Sequence, residues 1–160
     1  MNKLYWNQVE YNKIKLYFTC TRNGITFINN PNAGISNIYN FYPELDAEFC
    51  FNKQVTGPYK DEIKAFLEGD RKSFQIQTDM INPDFSAIYQ AIQEIEYGHT
   101  ITFKQFCQQH PFDEGDVKEA ILNNPLIMII PSHRILGVDY ANSYRKLADF
   151  NQLLLSIEQE

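Results

Sequence analysis

The chain has 160 residues, enough for one or two small domains with a sizeable buried core. Hydrophobic residues make up 44% and charged residues 21%, ordinary globular proportions that exclude a disordered chain. The net charge of −6 is unevenly placed: residues 1–75 carry nine Lys/Arg against eight Asp/Glu, residues 76–160 five against twelve, and an acidic half repels phosphate at long range.

The first thirty residues read as sheet. Lys13–Cys20 alternates and is rich in β-formers, Asn23-Gly24 is a hairpin signal, and Ile25–Ile28 returns as the partner strand. Asn29–Gly34 is a loop by composition, and residues 38–51 carry no clear period. Tyr59–Glu68 has Ile63, Phe66 and Leu67 at helical spacing, with Gly69 as its stop, and Ser73–Thr78 reads as a short strand. Asp79–Pro83 then links an α/β half, residues 1–79, to a second half, residues 80–160, that reads as all helical.

In that second half Asp84 caps a helix over Phe85–Ile95, whose inner face is Phe85, Ile88, Tyr89, Ile92 and Ile95, and Tyr97-Gly98 ends it. Thr102 caps Phe103–His110, a turn holds Pro111 and Gly115, and Asp116–Asn123 follows, so the pair reads as a helix-turn-helix. Asn124-Pro125 breaks the chain, because the residue before Pro avoids the helical region. Leu126–Ile130 is a buried, strand-like apolar run, and Arg145–Glu158 is the last helix.

No apolar run nears the ~20 residues of a membrane span, and the first thirteen residues lack a secretion-signal core. Cys20, Cys50 and Cys107 are odd in number and far apart, which argues against a disulfide framework and for a reducing compartment. A cytoplasmic protein without a membrane partner is expected. No C-x-x-C or H-x-x-x-H pair offers zinc ligands, so no metal is expected.

The sharpest local feature is the apolar run that stops at Pro131-Ser132-His133-Arg134. It delivers three polar side chains to the rim of a core, where packing alone has little use for them. Adjacent Ser132 and His133 are weak grounds for a hydrolase, since neighbours on a chain rarely point at each other and no G-x-S-x-G elbow is present.

Residues 65–158 resemble the methylated-DNA–protein-cysteine methyltransferases, the O6-alkylguanine-DNA alkyltransferases of direct-reversal repair. Ala65–Arg71 is similar to the family's YFxGxR, residues 85–100 to FQxxVWxxLxxIPYGxT, and Asn124–Arg134 to NPxxxxIPCHR. Tyr144 and Glu158 fall where the family has a late Tyr and a C-terminal Glu. The resemblance implies an N-terminal ribonuclease-H-like three-layer α/β domain, then a helical domain with a winged-helix-like helix-turn-helix. It also implies alkylated double-stranded DNA as partner, no cofactor, and a monomer. In the family the second helix of the motif enters the minor groove, the damaged guanine is flipped out, and its alkyl group passes to a cysteine thiolate activated through a Glu–His–water–Cys relay.

Carried onto this chain, the resemblance makes Ser132 the nucleophile position, His133 the general base and Glu158 the group that orients it. Asn124 holds the turn. Arg134, grouped with the substrate side, anchors that turn; Tyr144 lines the base pocket; and Phe103 stands where the family has a Tyr that helps rotate the 3′-phosphate.

Three departures stand out. Ser132 replaces the cysteine. The arginine finger has no counterpart, its place falling at Gly115 or Asp116. The recognition segment Asp113–Asn123 holds Asp113, Glu114, Asp116 and Glu119 against Lys118 alone. A single Cys-to-Ser exchange explains only the first. Three functions remain in play: a DNA-repair alkyltransferase by lineage whose Ser132 does not accept the alkyl group, a non-catalytic damage-binding protein, and a diverged member that binds a protein or small ligand.

Overall fold

The computed structural model describes residues 2–143 and 145–159. Strand β1 (Asn2–Tyr11) pairs antiparallel with β2 (Ile14–Cys20), and β2 pairs antiparallel with β3 (Ile25–Ile28). The last strand of this sheet, β4 (Ala47–Cys50), lies parallel to β1, giving the order β3-β2-β1-β4. A parallel pair needs a crossover. Here it follows the loop after β3 and includes a 3-10 turn, Ile35–Asn40.

Successive residues of β1 face opposite sides of the sheet. Leu4 joins Phe27 and Ile38 in one buried cluster, while Asn7 on the other face donates to Thr56 Oγ1 of helix α1 (Lys53–Leu67) at 3.0 Å. Helix α1 starts six residues earlier than its apolar spacing suggests. Asn52 caps it by accepting from the Gln54 and Val55 amides, and Pro58 sits within its second turn. Gly69, at φ +80°, ends it as expected.

Ser73–Thr78 does not form a strand. Only Thr78 bridges Ile25, through Ile25 N–H to Gln77 O and Asp79 N–H to Ile25 O, both 2.9 Å. The approach is close at the hairpin: a Cβ on Gly24 would lie 2.6 Å from the Thr78 carbonyl carbon, so this position requires glycine.

The chain divides into two compact units, Met1–Ile81 and Asn82–Glu160. In the second, Asn82 rather than Asp84 is the cap. Its side chain accepts from the Asp84 amide, a 3-10 turn covers Pro83–Phe85, and α2 (Ser86–Gln93) ends short of Ile95. Helix α3 (Phe103–Gln109) opens with a capping box, the Thr102 hydroxyl and Gln105 side chain each meeting the other's backbone N–H at 3.1 Å. Helix α4 (Glu114–Leu122) begins two residues before its expected start because Asp113 caps it, which places Gly115 inside the helix rather than in the turn.

The second unit is not all helical. β5 (Ile101–Thr102) pairs in parallel with β6 (Ile135–Leu136), so the molecule is an α+β protein. Nor is the Leu126–Ile130 run extended: it folds into a buried turn, with Ile130 N–H donating to Leu126 O at 2.9 Å and Met128 at φ +79°. The final helix, α5 (Ala148–Glu158), starts three residues later than expected; Lys146, at φ +51°, precedes it. No described helix is long and apolar enough to cross a membrane.

Candidate active site

Asn124 ends α4's connection to the apolar turn and is only 1% exposed. Its Oδ1 accepts from the Leu126 amide at 2.9 Å, and its Nδ2 donates to Ile130 O at 2.8 Å and to Ser132 Oγ at 3.1 Å. One side chain thus closes the turn across eight residues and fixes the serine oxygen at its end. Arg145, buried although it precedes α5, donates through Nη1 to the Asn124 carbonyl.

Ser132–Arg134 is a single 3-10 turn with all three side chains buried. Two of them converge on α5. His133 Nε2 meets Glu158 Oε2, Arg134 Nε donates to Glu158 Oε1 at 2.8 Å, and Arg134 Nη2 donates to Oε2 at 3.1 Å. The Gly98 amide adds a fourth bond to Oε1 at 3.1 Å. Arg134 Nη1 reaches Ile95 O at 2.7 Å, and the guanidinium lies over the Tyr97 ring. Its three nitrogens meet protein groups, so Arg134 braces the turn from within.

The charges follow from this geometry. Burial alone would raise the Glu158 pKa, but the hydrogen bonds from His133, Arg134 and Gly98 bring it down to about 2, so it is ionised. Burial pushes the His133 pKa below its usual value and outweighs the pull of Glu158, while Arg134 opposes a second cation. His133 is therefore the neutral member of a paired Arg–Glu cluster. With Nε2–H directed at the carboxylate, its Nδ1 is a lone-pair acceptor.

The structure thus gathers Asn124, Ser132, His133, Arg134 and Glu158 at one corner. Phe103, half-buried at the start of α3, joins this cluster by no hydrogen bond or ring contact among the described residues. Tyr144 lies outside the described residues. Four contributors went unforeseen. Gly98 was legible as a helix stop and a motif glycine but not as a partner of Glu158, and Arg145 only as a charge. Tyr140, whose hydroxyl lies 2.8 Å from Ser132 O and 3.1 Å from Ile135 O, sits in an irregular loop with no motif to mark it. Asn151 is buried on α5, where a helical period would have placed it on the inner face with Leu147, Leu154 and Glu158. Among the described residues no cluster of His, Cys, Asp and Glu could hold a metal ion.

Residues 83–160 match the family model for the DNA-binding domain of 6-O-methylguanine DNA methyltransferase. The chain is 28% identical to the inducible methylated-DNA–protein-cysteine methyltransferase of Bacillus subtilis, over 98% of this chain and 90% of that protein. It is 29% identical to the methylated-DNA–protein-cysteine methyltransferase of Methanosarcina barkeri, over 72% of this chain and 76% of that protein. The fold is shared with the O6-methylguanine methyltransferase of Mycobacterium tuberculosis (TM-score 0.76, 18% identity, 98% of this chain and 93% of that one). It is shared also with the structure of the Mycobacterium tuberculosis protein OGT in complex with DNA (TM-score 0.73, 19% identity, 97% and 92%). Asn124, Ser132, His133 and Glu158 thus stand within a matched sequence and a shared fold, and the chain is similar over nearly its whole length to the methylated-DNA–protein-cysteine methyltransferases.

Proposed function

We propose that this DNA-repair alkyltransferase by family recognises an O6-alkylated guanine in duplex DNA and, with Ser132 at the acceptor position, holds the base without taking its alkyl group. The observation that carries the reading is the buried corner in which Asn124 fixes the Ser132 hydroxyl beside a neutral, carboxylate-backed His133. Alkyl transfer breaks the bond between the guanine oxygen and a saturated carbon and forms a new bond from that carbon to the protein. The acceptor must therefore be a strong nucleophile near neutral pH. A cysteine thiol, with an ordinary pKa of ~8.5, reaches the thiolate with help from a neighbouring base. A serine hydroxyl is far less acidic, and as a neutral oxygen it attacks saturated carbon poorly.

In this reading His133 serves as base through Nδ1, Glu158 fixes its ring and tautomer, and Asn124 positions the acceptor atom. Arg134 anchors the turn, Phe103 takes the place of the residue that helps rotate the 3′-phosphate, and Tyr144 is assigned to the base pocket by resemblance alone. The sheet order, with β4 parallel to β1 and α1 following it, favours a ribonuclease-H-like N-terminal unit. The α3–α4 pair beside the β5–β6 strands favours a winged-helix-like reader of duplex DNA. The free cysteines favour a reducing, cytoplasmic setting, and the chain is taken to act as a monomer without a cofactor.

The decisive experiment restores the sulfur. Ser132→Cys, incubated with duplex carrying O6-methylguanine, should gain one methyl group by intact mass, localised to position 132. No methylated protein, with the variant folded, overturns the lineage reading. The unaltered chain should prefer alkylated over plain duplex at low salt; equal affinity removes the damage-binding part.

One observation favours a second reading. Asp113, Glu114, Asp116 and Glu119 are all exposed on or at the start of α4, with Lys118 as their single counter-charge there. Such a face repels phosphate and suits a basic protein partner or small ligand instead. Tight duplex binding at physiological salt excludes it.

A further inference from the structure

His133 and Asn151 line one cavity of about 280 Å3, together with Asp139, Tyr140, Gln152 and Leu155 among others. His133 is 2% exposed and Asn151 7%. Each carries a buried nitrogen without a hydrogen-bond partner, His133 Nδ1 and Asn151 Nδ2. An unsatisfied buried polar group is costly and calls for an explanation. Here the two orphans are complementary. Because Nε2–H of the neutral ring faces Glu158, Nδ1 offers a lone pair, whereas the Asn151 amide offers N–H. One water molecule can take both roles, accepting from Asn151 and donating to His133. The cavity easily holds it, since a water occupies about 30 Å3.

The placement on α5 strengthens the pairing. Asn151 and Glu158 are seven residues apart, nearly two full helical turns, and so share one face of the helix. Glu158 takes one ring nitrogen of His133, and Asn151, on the same helix face, lines the cavity that His133 also lines.

We propose that Asn151 is a positioning residue for His133: through a water in this cavity its amide holds Nδ1 as an acceptor, so that α5 grips the imidazole at both nitrogens. Glu158 alone fixes one end of the ring. The Asn151 branch fixes which nitrogen carries the proton and which carries the lone pair, the kind of outer partner that orients reactive histidines elsewhere. The other charged and titratable groups facing His133 are Arg134 from its own turn, Glu158 and Asp149 from α5, and Asp139 and Tyr140 from the preceding loop.

The test uses the chain as it stands, labelled with 15N at histidine, and needs no DNA; its outcome is therefore independent of whether Ser132→Cys transfers a methyl group. Asn151→Asp replaces a donor with an anion of the same shape. It should require a proton on Nδ1 and raise the proton affinity of His133 about tenfold, which the pH titration of its ring nitrogens reads directly. Asn151→Leu removes the donor and should move the Nδ1 resonance without bringing it to the imidazolium position. A residue that merely packs would move neither. If a variant that keeps its circular dichroism leaves both the His133 titration and the Nδ1 resonance where the parent has them, the proposal falls. Should the leucine variant fail to fold, the near-isosteric aspartate decides alone.

Discussion

Asn124 and Ser132 stand eight residues apart in the chain and are joined by a 3.1 Å hydrogen bond from amide to hydroxyl. The same amide closes the intervening apolar turn on Ile130, so the Ser132 oxygen is held by the group that folds the loop beneath it. Structure and positioning at this corner are one interaction.

Asn124→Ala should therefore be costly. It removes two donated bonds and one accepted bond and strands the buried Leu126 amide, while the Ile130 carbonyl keeps the Ser132 amide, a loss of roughly 3 kcal/mol. Urea denaturation measures it. A change within about 0.5 kcal/mol, the range of ordinary surface substitutions, would mean that the turn stands without its asparagine.

Glu158→Gln should be worse than the loss of one hydrogen bond. Glu158 is the buried counter-charge of Arg134, and removing one member of such a pair costs about 3–5 kcal/mol because the other is left uncompensated. Arg134→Met, which removes the cation as well, should recover part of the loss in the double variant. A double variant no more stable than the single would argue that the two groups do not act as a pair.

Acid should weaken the second unit in two stages. His133 binds protons less readily folded than unfolded, so its share of stability is complete above the ordinary value of 6.5 and declines as pH falls below it. Glu158 has a folded pKa of about 2 against an ordinary 4.5, so its share, roughly 3 kcal/mol, is present above 4.5 and lost as pH falls toward 2. Both act in the same direction. Thermal melts of the chain and of Glu158→Gln between pH 8 and 3 test this: the parent should lose stability on acidification more steeply than the variant, and parallel curves would refute it.

Charge reversal on α4 tests whether that helix faces DNA. Asp116→Lys with Glu119→Lys should tighten duplex binding and steepen its salt dependence, by about 0.9 in the log–log slope for each lysine that reaches a phosphate. Fluorescence anisotropy over a salt series gives both numbers. An unchanged affinity and slope would place the duplex elsewhere or nowhere.

Much of this was legible from local chemistry. Asn23-Gly24 forms its turn, Thr102 with Gln105 forms a capping box, and Gly69 and Gly98 adopt the left-handed backbone that helix stops use. The catalytic-type corner was legible only through resemblance, because its members lie at positions 124, 132–134 and 158 and no period connects them. What stayed hidden was non-local. β4 pairs with β1 residues 45 positions earlier, and the short β6 with β5 residues 34 positions earlier. The Leu126–Ile130 run shows why composition falls short: five apolar residues declare burial, but the turn is dictated by Asn124 outside the run and by a left-handed Met128 that no propensity would assign. Asn151 and Tyr140 were missed for a related reason. Their importance resides in one unpaired atom and in two carbonyl neighbours, neither of which leaves a mark in sequence.

The β5–β6 pair, only two residues long in each strand, has a mechanical consequence. Thr102, the last residue of β5, is also the cap of α3, while Ile135, the first of β6, directly follows the Ser132–Arg134 turn. Helix α3 and the Ser132–Arg134 turn are thus joined backbone to backbone, with no intervening side chain to absorb slack. A tilt of α3 would therefore load the segment that leaves Arg134.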